Sequence, residues 1–326
     1  MKNKFKLLSS IILYSLLFTL IACSDSVNND NTSTESAEDN GDAVGLGELT
    51  IGLMPAIDSF PIVLADYLGY FEDEGLTVRL EPFSSSAYRD AALQAGELDA
   101  ATVDLVAVGL FVEADFPIRA TGVTGGHFIL VSEAGFYSIE DLTGESVVIS
   151  SNTAIDFVLD QMIQIAGFEL DHIERVIVPP VPERMELLRG GQVTAALLPE
   201  PWATIAIADG FYEITNTVEI GLFPFVTAFT DEVLENQPAD VQAFYRAYNR
   251  AIDFINATPL EEYFHIMVDV IGFPEDVIDH LILPEFPHNQ MPADDVLSST
   301  IDWLLARELV SENMTIDDLI NTVAFD

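Results

Sequence analysis

Three carboxylates, Asp58, Asp104 and Glu200, stand where short apolar runs give way to turns; Ser59, Phe60 and Trp202 are their near neighbours in sequence, and Ser84, Ser85, Ser151, Asn152 and Thr153 stand in equivalent turns elsewhere in the chain. Carboxylates accept hydrogen bonds from amino or ring N–H groups and repel anions unless arginine or several backbone donors outweigh them. Hydroxyl and amide side chains ahead of a helix can present donors to a bound acceptor, together with the unpaired N–H groups of the helix start. The same residues serve equally as plain N-caps. Phe60 and Trp202 can stack on a flat ligand from opposite sides, with a place in the core as the alternative for each. No pair among the five histidines has metal-ligand spacing: His127 falls in an expected strand, His172 in a turn, and His265, His280 and His288 in a helical tail. Neither a metal nor a cofactor is expected. Arg89 and Arg184 each could reach an anion, but on so acidic a chain a surface ion pair is the expected fate of both.

The elements that must position these groups follow from periodicity. Apolar Leu49–Met54 reads as a strand, Phe60–Tyr70 has helical spacing up to a stop at Gly75, Thr77–Phe83 alternates, Ser84–Ser86 caps a helix through Ala95, and Ala100–Val103 is a short buried strand. The order returns further on: strand 146–149, polar turn 150–153, helix to 166, strand 175–178, helix 183–189, strand 194–198. At one constant offset Arg89 falls on Arg184, Leu93 on Leu188, Gly96 on Gly191 and Ala100-Ala101 on Ala195-Ala196. Alternating strands and helices predict an α/β fold with largely parallel sheets, here two Rossmann-like lobes facing each other across a hinged ligand cleft. A strand over 223–229 precedes helices at 231–256, 261–270, 274–281, 294–309 and 316–322, expected to return to the first lobe. The lobes are thus 48–132 plus 225–326 and 133–224, with crossings near 132–135 and 221–224. Ligands of open α/β sheets bind beyond the carboxyl ends of the strands, which selects the loops that carry the site residues named above.

The N-terminus adds a destination. Lys2, Lys4 and Lys6 precede an apolar run ending at Cys23, the layout of a secretory signal peptide over 1–22. Leu20-Ile21-Ala22-Cys23 resembles the bacterial lipobox, which implies a lipidated Cys23 anchored at the outer face of the membrane or in the periplasm. Residues 23–47, polar and nearly free of large apolar groups, read as a tether. Cys23 is the only cysteine. The chain carries 54 acidic against 12 basic residues, a formal net charge of −42, with no lysine beyond Lys6. Such a field disfavours nucleic acid and anionic lipid as partners. The 49% hydrophobic content, with 21 phenylalanines, argues for a packed core rather than a disordered acidic chain.

Gly69-Tyr70-Phe71-Glu72-Asp73-Glu74-Gly75-Leu76, Ala95-Gly96-Glu97-Leu98-Asp99-Ala100-Ala101 and Leu197-Leu198-Pro199-Glu200-Pro201-Trp202 together resemble the substrate-binding family that serves aliphatic sulfonate, taurine, nitrate and thiamine-precursor importers. The likeness runs over about residues 48–253. It implies a periplasmic-binding-protein-like fold, a monomer without catalysis, and an ABC permease with its ATPase as partners. The three carboxylates and two aromatics rank a thiamine-precursor pyrimidine or other nitrogen heterocycle above a small anion such as an alkanesulfonate, taurine or nitrate. A ligand-presenting sensor would use the same fold. The family also resembles enzymes that make thiamine's pyrimidine, but that chemistry goes with a cysteine-rich motif that this chain lacks.

Overall fold

The computed structural model describes residues 46–281 and 283–325; the signal segment, Cys23 and residues 24–45 of the tether lie outside the described residues. The first apolar run forms β1 (Glu48–Leu53), buried along its length except at Glu48. Pro61 starts α1 (Phe60–Tyr67), where its missing N–H is no loss. Gly69, at φ +72°, ends that helix one turn before the sequence suggests and leads into α2 (Tyr70–Asp73). There follow β2 (Thr77–Pro82), α3 (Ser86–Gln94), β3 (Ala100–Asp104), α4 (Leu105–Glu113) and β4 (Ile118–Val123). Five strands then build a second sheet: β5 (Phe128–Ser132), β6 (Ser146–Ile149), β7 (Glu174–Ile177), β8 (Ala195–Pro199) and β9 (Tyr212–Asn216). Between and after them lie α5 (Ala154–Ile165), α6 (Val181–Arg189), α7 (Trp202–Ala208) and α8 (Thr217–Ile220).

The chain returns to the first sheet at β10 (Phe225–Thr230). The strand orders, β2-β1-β3-β10-β4 and β7-β6-β8-β5-β9, are the same arrangement twice. In each, parallel strands are joined by one reversed strand, β10 or β5, contributed immediately after the chain crosses over. The first crossing therefore occupies 124–127, not 132–135: β5 already belongs to the second lobe. The turn residues near Gly135 end β5 rather than bridge the lobes. Glycine is required at the true crossing, because a Cβ on Gly126 would lie 2.2 Å from the Phe225 ring. The second crossing runs through 221–224. The fold is an α/β, two-lobed, periplasmic-binding-protein-like one.

The helical tail completes the first lobe. It comprises α9 (Asp231–Asn236), α10 (Pro238–Ala257), α11 (Leu260–Ile266) and α12 (Asp294–Ala306). Helix α10 packs on α1 and α2, and α12 on α4. Phe244 of α10 stacks on Phe71 at 5.4 Å. The helices expected at 274–281 and 316–322 are single 3-10 turns, Glu275–Val277 and Ile316–Asp318. Pro274 and the acidic cluster around 317 suit a helix start, but no apolar face of helical length follows either, so tertiary contacts decide; Ile320 instead bridges to Ala120 of β4.

Buried charge also joins the lobes. Asp160 of α5, fully buried, accepts from Arg175 Nη2 of β7 at 2.5 Å, from Trp303 Nε1 of α12 at 2.7 Å and from Arg307 Nη2 at 2.5 Å. Asp156, one helical turn earlier, lies 3.6 Å from Arg175 and 3.5 Å from Arg307. The Arg307 guanidinium also covers the Trp303 ring at 4.4 Å. Two acids and two arginines balance in charge, so removing one partner of the set leaves a buried charge uncompensated.

Candidate ligand-binding cleft

Loops at the strand ends of both lobes enclose a cavity of about 80 Å³. A water needs about 10–15 Å³ of such space, so the cavity holds on the order of half a dozen water-sized groups. That suits a compact ligand. The first lobe contributes Asp58, Ser86, Arg89, Thr102 and Asp104; the second contributes Ser150, Thr153, Ala154 and Arg184; His127 sits on the crossing between them.

The two arginines occupy equivalent places. Arg89 of α3 donates through Nη1 to the Thr102 carbonyl of β3 at 2.9 Å, and Arg184 of α6 donates through Nη1 to the Leu197 carbonyl of β8 at 3.2 Å, each thirteen residues along the chain. Both are buried, at 3% and 2% exposure. This corrects the surface position expected of both, since each helix lies on its sheet and carries its arginine inward; Arg89 still keeps an ion pair, with the partly buried Asp90, whereas Arg184 has none among the described residues. They differ in compensation. Arg89 Nε and Nη2 both donate to Asp90 Oδ1, at 2.9 and 2.6 Å. Among the described residues Arg184 has no carboxylate partner and its Nε has no partner at all, and burial pulls its pKa down to about 9.

Of the predicted carboxylates, two line the cleft. Asp58 sits half-buried in the turn after β1, and burial pushes its pKa up to about 6 against the backbone N–H groups of Asp58 and Ser59 and the charge of Arg89. Asp104 caps α4, accepting from the Ala107 N–H at 2.9 Å, and burial raises its pKa too, opposed by Arg89. The first N–H of α5, at Ala154 in the opposite lobe, also bears on it. Glu200 is turned away: its carboxylate accepts from Thr204 N at 3.0 Å and Thr204 Oγ1 at 2.8 Å, capping its own helix, and burial raises its pKa. Only its carbonyl reaches the other lobe, accepting from the Ile57 N–H at 3.2 Å.

The other expected residues divide similarly. Thr153 lines the cavity, its hydroxyl 2.9 Å from that of Ser150, which the sequence had left as part of the turn. Asn152, at φ +55°, borders an outer groove with Thr153 and Arg89. Ser59 is buried 3.3 Å from the Thr102 hydroxyl, and Ser85 caps α3 through the Tyr88 N–H; neither lines the cavity. Ser84 and Ser151 are exposed outside it. The expected aromatic clamp is absent. Phe60 is fully buried and stacks on Tyr263 of the tail at 5.6 Å, and Trp202 packs on the core of the second lobe. His127, read from the sequence as a strand residue and a poor functional candidate, precedes β5, and both its ring nitrogens are buried without a partner among the described residues. Burial lowers its pKa, opposed by the charge of Glu213.

No helix among the described residues is long and apolar enough to cross a membrane. Solved structures share the fold: the chain is similar to the alkanesulfonate-binding protein SsuA of Xanthomonas axonopodis pv. citri, bound to MOPS, with a TM-score of 0.73 and 19% identity over 84% of this chain and 98% of that one. It is also similar to the periplasmic nitrate-binding protein NrtA of Synechocystis PCC 6803, with a TM-score of 0.70 and 11% identity over 85% and 86%. A Brucella abortus protein described as a binding protein is 24% identical over 201 residues, 60% of this chain, and the chain spans 63% of that relative's length. Residues 42–265, from the end of the tether through α11 and so including both sheets and every residue of the cleft, match the NMT1-like family, and the chain belongs to it.

Proposed function

We propose that this protein is the extracytoplasmic solute-binding component of an ABC-type importer, anchored through a lipidated Cys23, which captures a small acid between its lobes and delivers it to a permease and its ATPase. The observation that carries the ligand class is Arg184: a buried guanidinium in the cleft wall whose Nε has no partner, and which no carboxylate neutralises, among the described residues. An isolated buried charge is costly, and a bound anion would compensate it. This reverses the ranking suggested by the sequence. The nitrogen-heterocycle reading rests on Asp58, Asp104, Glu200, Phe60 and Trp202; the two aspartates line the cavity, but Glu200, Phe60 and Trp202 face away from it. The alkanesulfonate- and nitrate-binding proteins of the same fold support the acid reading.

Titration calorimetry with short alkanesulfonates, carboxylates and nitrate tests it. Arg184→Met is expected to weaken binding of the preferred acid roughly 30-fold or more. The same substitution should raise the melting temperature of the unliganded protein, because it removes an uncompensated charge. Undiminished affinity in Arg184→Met would refute the assignment.

A further inference from the structure

Two carboxylates and two guanidinium groups line the cavity, but their charges do not cancel there. On the first-lobe wall Asp58 and Asp104 repel each other and share the attraction of Arg89. Asp90 already engages Arg89 through two donors, and its charge also bears on Asp104. From behind, α10 brings the buried Tyr248 hydroxyl within range of the Asp58 charge. Arg184 on the second-lobe wall and His127 at the crossing, on which Glu213 of β9 bears, complete the set. Asp58, Asp90 and Asp104 thus outnumber Arg89 and Arg184 before any acid enters.

A bound acid brings one more negative charge into this buried space. An uncompensated charge is costly there, and a neighbouring anion raises the pKa of a carboxylate. Proton uptake removes the excess. Asp58, already pushed up to about 6 by burial, needs little further push at neutral pH. As a carboxylate it repels the acid, whereas as a carboxyl it donates an O–H to it, so one proton reverses the sign of the contact. Protonating His127 does less: a neutral imidazole already offers one N–H donor, and burial opposes the cation.

Resting on the reading of the site as an acid-binding cleft, we infer that the cleft captures its acid together with a proton, which comes from solvent, settles on the Asp58–Asp104 pair and returns to solvent when the acid leaves. Affinity is then greatest at low pH. Below about pH 5 the pair holds the proton with or without the acid, and binding takes up none. As pH rises through about 6 to 8, the free cleft has lost the proton that the complex keeps, and affinity falls. Burial leaves Arg184 titrating near about 9, which confines its own contribution to more alkaline solution.

Nitrate, propane-1-sulfonate and butanoate, all ionised from pH 6 to 8, test this on the intact protein. A pH-stat reading on mixing at pH 7 in weakly buffered salt counts the protons, and about half to one is expected per acid bound. Calorimetry in cationic buffers, which do not compete for an anion site, should give a Kd roughly ten-fold higher at pH 8 than at pH 6. The double variant Asp58→Asn, Asp104→Asn, checked for folding by circular dichroism, should lose the uptake and the pH dependence, and His127→Gln should retain both. Binding without proton uptake in the wild-type protein overturns the co-capture and leaves the acid reading intact. Uptake that survives the double variant and vanishes in His127→Gln overturns the assignment to the carboxylates. Failure of all three acids to bind overturns the acid reading itself.

Discussion

The cluster around Asp160 predicts that ligand affinity can be altered far from the cleft. Arg307 follows α12, on the first-lobe tail, whereas Asp160 and Arg175 both belong to the second lobe, so within this cluster Arg307 and Trp303 are the groups that reach across between the lobes. Breaking a buried pair by removing one partner costs about 3–5 kcal/mol, and the 30% exposure of the Arg307 side chain discounts this to just below that range, about 2–3 kcal/mol. For a chain of this size that is a fall in melting temperature of roughly 4–10 °C. If about half of the lost energy favours the closed arrangement over the open one, the apparent affinity falls about tenfold, since binding requires the closed fraction. Arg175→Met is the control. It breaks a contact of similar geometry within one lobe, so its melting temperature should fall comparably while Kd stays within about twofold. Differential scanning fluorimetry and calorimetry on both variants, with the same acid, make the comparison. Equal losses of affinity in Arg307→Met and Arg175→Met, or no loss in Arg307→Met, would show that the cluster stabilises the fold without holding the lobes shut.

Two more outcomes are expected. Burial raises the pKa of Asp58, Asp104, Asp156 and Glu200 above the ordinary carboxylate range. A native state that holds protons which the unfolded chain has released is most stable at low pH and loses that advantage as pH rises through about 4 to 6. The melting temperature should therefore rise from pH 8 to pH 5, and Asp58→Asn should stabilise the protein at pH 8 by on the order of 1–2 kcal/mol; a fall on acidification would contradict this. Cys23→Ala should release the protein from membranes into the soluble fraction, and unchanged membrane association would remove the lipid anchor from the proposal.

Local periodicity revealed the strand-helix alternation because each element up to β8 makes its own apolar face. It also revealed the repeat that pairs Arg89 with Arg184. What it could not reveal was burial. A lone arginine on a polar helix looks solvated until the helix is laid on its sheet, and only then do both guanidinium groups meet a strand carbonyl. The choice between cleft and core for Phe60 was not legible for a related reason, since its partner Tyr263 is remote in sequence and no local pattern joins them. The rule that ligands sit beyond strand ends found the correct loops but not the direction each side chain takes. Glu200 stands on such a loop and still turns back to Thr204, whose N–H and hydroxyl lie one helical turn away. His127 carried one usable signal, the preceding Gly125-Gly126, which marks close backbone approach at a crossing.

The exchange of reversed strands has a consequence for how the polypeptide comes to be folded. Every strand of the second sheet lies within 128–216, an unbroken stretch of chain. The first sheet is interrupted: β3 and β4 await β10, which arrives only after the whole second lobe has been made, and the bridge to Ile320 comes later still. The second lobe is in effect an insertion whose closure brings the two halves of the first within reach. Pairing β10 against β3 and β4 across that gap carries a loop-closure entropy that a structured insertion largely removes. The lobe that bears Arg184 can thus assemble from local contacts, whereas the lobe that bears Asp58 and Asp104 depends on the chain almost to its end.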